Sequence, residues 1–222
     1  MGLRLGRKYL AYTDRAGETA FAVFMVMIIN GYVALSKLNT GFHYIVLVNL
    51  GACACWGFID GFIYSISKSI ERNIDRKKLL LLRSLKPQET GDLIKAKTML
   101  QETFLADFDE KGKETIAKDM VANASTISVE GGRRIEKEEM YGWISIMFIF
   151  LATGFVLALP FLILPNKINA WLVSNAAGSA WLFWYGTQIG KTVGKHRLWF
   201  GVLLMAVGIA FLAISYFVWS GR

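Results

Sequence analysis

Five long apolar runs, two before and three after a charged stretch of roughly 70 residues, decide what this chain can fold into. A helix needs about 20 consecutive apolar residues to cross a bilayer core. The runs at about 19–36, 43–67, 140–164, 168–190 and 197–220 fall in that range. Residues 68–139 hold most of the charge and cannot cross lipid. The expected fold is all-α: a polytopic membrane protein with five transmembrane helices and a small cytoplasmic helical insert between helices 2 and 3. Its expected divisions are 1–67, the N-terminal tail with helices 1 and 2; 68–139, the insert; and 140–222, helices 3–5.

Composition agrees with this layout. Hydrophobic residues make up 54% of the chain and charged ones 19%, and the two populations are segregated. A membrane barrel would need short alternating segments, so internal backbone bonding requires helices. Lys and Arg are dense in the tail before residue 16, at both ends of the insert and at 191–197, and sparse in the other connections. The positive-inside rule then places the N-terminus and the insert in the cytoplasm and the C-terminus outside. The cell membrane is the expected site, ahead of an organelle membrane. The formal net charge of +8 raises nucleic-acid binding. However, Glu71 to Glu139 carries 14 basic and 14 acidic residues. The excess therefore flanks the spans, where it sets topology and meets anionic head groups. No nucleic-acid partner is expected.

Asp60 stands out among the polar residues inside the runs. A carboxylate within a span costs about 2.5–3.5 kcal/mol on insertion scales, so it faces a bundle interior, a partner or a water-filled path. Helical spacing sets Asn49, Cys53, Gly57, Asp60, Tyr64 and Lys68 on one stripe, with Leu50, Ile59, Phe62, Ile63 and Ile66 opposite. Such a stripe reads as a pathway or a tight interface; the plainer alternative has Asp60 snorkelling inward or pairing with Lys68. Glu18 opens the first run at a depth that approaches Asp60, or else serves only as a helix N-terminal carboxylate. Asn30 shares a face of that run with Met27. Asp60, Glu18, Asn30, Asn49 and Tyr64 are the candidate pathway residues. Cys53 and Cys55, two apart on a helix, point to different sides and form no redox pair. Gly57-x-x-x-Gly61 and Gly186, Gly190 and Gly194 predict close helix packing, within the bundle or in a dimer. Trp143, Trp171, Trp199 and Trp219 read as interfacial anchors.

The insert is expected to hold three helices. The first continues the second run through Lys86, with Ile70, Ile74, Leu81 and Leu85 in period. The second starts near Thr90 and turns Leu93, Met99, Leu100, Phe104 and Phe108 inward. The third spans about 113–122, with Ile116 and Met120 apolar. Asp107, Glu110 and Glu114 would share a face if helical and could hold a hard divalent ion. Interleaved lysines favour a solvated charged surface instead. The chain has two histidines, His43 and His196, and no HExxH, P-loop or GxSxG motif, so an enzyme is not expected.

Two segments resemble the vacuolar iron transporter family. One is Gly57-Phe-Ile-Asp60-Gly61-Phe-Ile-Tyr64 running to Glu71-Arg72; the other runs from Ser174-Asn175 through Gly186-Thr-Gln-Ile-Gly190-Lys191-Thr-Val-Gly194. The likeness in layout covers about 40–220. It implies a five-span dimer that moves divalent iron or manganese out of the cytoplasm against protons. In that family carboxylates and methionines of the first two spans line the path. This chain has Asn30-Gly31 in the middle of its first run and no methionine in its second, so Asp60 alone carries over by position.

The expected function is therefore transport of divalent metal cations, with the metal as substrate and no resident cofactor. The expected partners are the bilayer, a divalent metal ion and a second copy of the chain. The alternative is a non-transporting scaffold or sensor whose insert binds a cytoplasmic partner.

Overall fold

Long apolar runs without the period-2 alternation of a strand form helices here. The computed structural model describes residues 10–35, 41–86, 89–100, 107–124, 126–127, 135–194 and 196–220. Among them are seven helices and no strand: α1 (Tyr12–Leu35), α2 (Phe42–Ser84), α3 (Thr90–Leu100), α4 (Glu110–Asn123), α5 (Lys137–Ile163), α6 (Lys167–Val193) and α7 (Arg197–Ser220). The basic tail before Leu10, together with Lys37, Lys195, Arg222 and Phe104, lies outside the described residues, as do the side chains of Leu100 and Trp219.

Three of the described helices are long and apolar enough to cross a membrane: His43–Ser84, Lys137–Ile163 and Arg197–Val218, with mean hydropathies of 1.7, 2.6 and 2.4. The apolar run of α6 is diluted by Ser174, Asn175, Ser179 and Thr187. Three of these four, Ser174, Asn175 and Thr187, are buried.

The chain divides into two compact units, 1–65 with 137–222, and 66–136. The charge pattern puts the same divisions at 68 and 139. In the first unit α1 is the central helix, packed on α5, α6 and α7. Its Ala22, Val23, Met25, Val26 and Met27 join Cys53, Ile146, Phe150, Leu157 and Leu182 in the main core. The α2 stripe faces inward as its spacing requires: Asn49, Cys53, Gly57 and Gly61 are buried, and Asp60 and Tyr64 half-buried. Ile59, Phe62, Ile63 and Ile66 are exposed on the opposite face.

Small residues let α2 and α5 touch. A Cβ at Gly57 would lie 2.9 Å from Met147 Cα and 3.0 Å from Phe150 Cβ. Gly61 meets Trp143, Cys53 rests on Gly154, and the Tyr64 ring lies on Gly142. Gly186 and Gly190 of α6 are likewise filled by Arg197, Phe200 and Gly201 of α7. The faces read as packing surfaces are thus occupied inside the bundle. The α6–α7 turn needs left-handed backbone at Gly194, φ 78°, which glycine adopts without a Cβ clash.

Two of the tryptophans read as anchors pack against other helices. Trp171 is 8% exposed, in a cluster with Ile45, Phe161 and Ala170. Trp143 is half-buried between Phe58 and Phe62. Trp199 remains 65% exposed.

The second unit has its own core of Leu82, Leu85, Ala96, Ala117, Val121 and Ala124, with Leu79, Met99, Ile116 and Met120 against it. The periodic set on the first insert helix is only partly covered, and Phe108, expected inward, is corrected here. Ile70, Ile74 and Leu81 are exposed, and so is Phe108. Leu79, Leu82 and Leu85 sit where α3 and α4 can cover them; Ile70 and Ile74 precede that contact. Asp109 caps α4 by accepting from Gly112 N–H at 3.0 Å, so the helix begins at Glu110, not 113. Arg83 closes the other end, donating through Nε to the Ala124 carbonyl at 2.9 Å and through Nη2 to the Ile127 carbonyl.

Candidate functional site: an acidic pair and an amide chain

Of the 17 acidic residues, 14 lie between Glu71 and Glu139. The other three are Asp14, Glu18 and Asp60, and the fold brings them together. Asp60 and Asp14 are the charges that bear on Glu18. Asp14 and Glu18 sit one turn apart on α1, while Asp60 comes from α2. Glu18 and Asp60 are half-buried, and among the described residues neither forms an ion pair or a hydrogen bond. Lys68, the alternative partner for Asp60, is paired with Glu71 at 2.8 Å. One oxygen of Asp14, Oδ2, is buried without a partner among the described residues. Beside the pair, Thr19 Oγ1 donates to the Arg15 carbonyl at 2.8 Å. Tyr185 of α6 is within hydrogen-bonding reach of Thr19.

Above the carboxylates lies an aromatic layer. Phe21 meets Trp56 of α2 with ring centroids 6.0 Å apart and Phe150 of α5 at 5.9 Å, both edge to face. Phe21 is one turn beyond Glu18, and Trp56 one turn before Asp60. The Glu18–Asp60 and Phe21–Trp56 approaches therefore belong to a single antiparallel register of α1 on α2.

The same register brings Asn30 to Asn49. Asn49 Nδ2 donates to Asn30 Oδ1 and, at 3.1 Å, to the Ile45 carbonyl. Asn30 Nδ2 donates to Ser174 Oγ at 2.8 Å. Ser174 Oγ donates to the Leu157 carbonyl at 2.6 Å. One directed chain thus joins α2, α1, α6 and α5. All three polar side chains are 0% exposed. Among the described residues Asn49 Oδ1 has no partner, and neither do Asn175 Oδ1 nor Trp171 Nε1. Buried polar atoms are nearly always hydrogen-bonded, so each exception asks for a reason.

The candidate pathway residues thus form two groups, with Glu18 and Asp60 below the aromatic layer and Asn30 and Asn49 above it. Tyr64 lies beyond Asp60, against α5. The insert carboxylates are arranged differently. Asp107 precedes α4, so Asp107, Glu110 and Glu114 do not share one helical face. Glu110 accepts from Lys97 at 3.0 Å, and Glu114 from Lys118 at 2.7 Å. No group of three or more His, Cys, Asp or Glu able to hold a metal ion occurs among the described residues. No protein-family model matches the chain, and no curated protein matches it.

Sequence reasoning missed Ser174, the link from Asn30 to α5, and Glu139, buried in the first turn of α5. Ser174 is 144 residues from Asn30, a pairing that no periodicity reveals. Glu139 is hidden in a run of exposed acids, Glu136 and Glu138.

The pairs in the insert make its stability acid-sensitive. The Lys97 hydrogen bond, with its charge and that of Lys113, holds Glu110 below the usual carboxylate range. Lys118 does the same for Glu114. The Lys86 backbone N–H, then Lys95, lowers Asp92. A carboxylate lowered in the folded state stabilises above its unfolded pKa, and that contribution is lost as pH falls through the folded value. Amide-exchange protection of α3 and α4, corrected for intrinsic rates, is therefore expected to hold from pH 7 to about 5. It then declines below about pH 4.5. Salt weakens protection in the same direction, because these pairs face solvent.

Proposed function

We propose that this chain is a multi-pass membrane transporter of divalent metal cations, iron or manganese, with five transmembrane helices. The observation that carries the reading is the meeting of the only three acidic residues outside the insert at one place in the bundle, with Glu18 and Asp60 lacking a cationic partner among the described residues. Two like charges held close in a half-buried site repel, and a bound divalent cation relieves them, as do protons. A site that alternates between the two has the parts for proton-coupled exchange. Two carboxylates suit a hard or borderline ion that keeps several waters in its shell. The likeness to vacuolar iron transporters in layout and around Asp60 points the same way, toward export from the cytoplasm in a homodimer. On this reading the N-terminus and the insert are cytoplasmic, the C-terminus is outside, and the cell membrane is the site.

Reconstitution into sealed vesicles tests it. The expected result is saturable flux of manganese or ferrous iron above that of protein-free vesicles, responding to an imposed proton gradient. Vesicles with inserted protein that leak neither ion faster than empty ones would overturn the reading.

A further inference from the structure

The amide chain leaves one oxygen unused, and its geometry fixes which one. Asn49 Nδ2 donates to two acceptors, Asn30 Oδ1 and the Ile45 carbonyl. Turning that amide over would set its oxygen against two other oxygens. Asn30 cannot turn either, because its Nδ2 is held by Ser174 Oγ. Ser174 is fixed in turn by donating to the Leu157 carbonyl. Both amides are therefore fixed in orientation, and among the described residues Asn49 Oδ1 is left buried and unpartnered. A buried, preorganised acceptor that no donor meets is built for a cation or a hydrogen-bond donor.

Its position indicates which. Asn49 is on the stripe that carries Asp60, eleven residues nearer the opposite end of α2, or about 16 Å along the helix. Between them lie the Phe21–Trp56–Phe150 layer and the Gly57 contact with Met147 and Phe150. We infer that Asn49 Oδ1 is a second station on the cation path, a neutral oxygen ligand that cargo reaches after leaving Glu18 and Asp60 once the aromatic layer parts. Asn30 and Ser174 are positioning residues that hold this oxygen toward the path. A neutral amide oxygen binds a divalent ion more weakly than a carboxylate pair, which suits a site that must release its cargo. The inference rests on the transport reading and adds to it a second ligand and the residues that orient it.

Manganese flux in vesicles tests it, with two variants and the wild type. Asn49→Leu is expected to lower the maximal rate about tenfold while half-saturating manganese stays within about twofold, since Glu18 and Asp60 are untouched. Ser174→Ala keeps every atom of Asn49 and loosens only its orientation. It is expected to lower the maximal rate about threefold with the same split. If Asn49→Leu does not fold, Ser174→Ala carries the test alone. Wild-type maximal rates in the folded variants would overturn the second station and leave the carboxylate site standing. Half-saturation raised in step with a falling rate would overturn it too, because Asn49 would then support the first site. No manganese flux by the wild type would remove the transport reading, and this inference with it.

Discussion

Asp60→Asn is expected to lower manganese or iron flux by roughly 30-fold or more. Truncating one member of a buried charged contact costs about 2–5 kcal/mol, and about 2 kcal/mol is already some 30-fold. The substitution keeps shape and volume, so α2 still packs on α5 through Gly57 and Gly61. Its effect is on charge alone. Glu18→Gln should act in the same direction, because on the proposed function both carboxylates serve one cation. The double variant should lose little more than either single one, since residues that act as a unit are not additive. Flux measured in vesicles across the four proteins checks this. Independent, multiplying losses would show that the two side chains serve different sites.

Gly57→Leu is expected to destabilise the bundle strongly. Even a bare Cβ at this position lies 2.9 Å from Met147 Cα and 3.0 Å from Phe150 Cβ. Met147 Cα is backbone, so α2 and α5 must separate to admit the side chain. Overpacking a filled core costs about 1–3 kcal/mol, and a clash with backbone falls at or above the top of that range. Gly51 on the same helix provides the control. A Cβ there would meet nothing within 4 Å. Gly51→Leu should stay within about 0.5 kcal/mol or gain from helix propensity. Apparent unfolding midpoints in detergent compare the two. Equal midpoints would mean that α2 and α5 do not pack as described.

What the sequence made legible follows from periodicity. The α2 stripe from Asn49 to Tyr64 and its opposite face of Ile59, Phe62, Ile63 and Ile66 were readable because one long helix repeats its faces regularly. Glu18, Asn30, Asn49 and Asp60 were readable because a polar group in an apolar run is costly and conspicuous. Partners across helices were not. Ser174 looks like any small residue of a packed span, and only the fold sets it against Asn30. Trp171 carries the composition of an interfacial anchor, yet α1 and α7 close over it: a Cβ at Gly31 would lie 3.0 Å from Ser215 Cβ and 3.6 Å from Trp171 Nε1. Ile70 and Ile74 keep a helical period without burial, since period reports a face and not whether another helix covers it. The insert acids were ambiguous for a related reason. Their spacing fits a metal site, but Lys97 reaches Glu110 from α3, a contact that depends on how α3 and α4 meet.

The measurement that bears most directly on the central claim is calorimetric titration of the purified full chain with manganese, beside Asp60→Asn. The account predicts saturable binding by the wild type that is weakened at least about tenfold in the variant, a difference of about 1.4 kcal/mol. Equal manganese affinity in the two proteins, or none in the wild type, would contradict it.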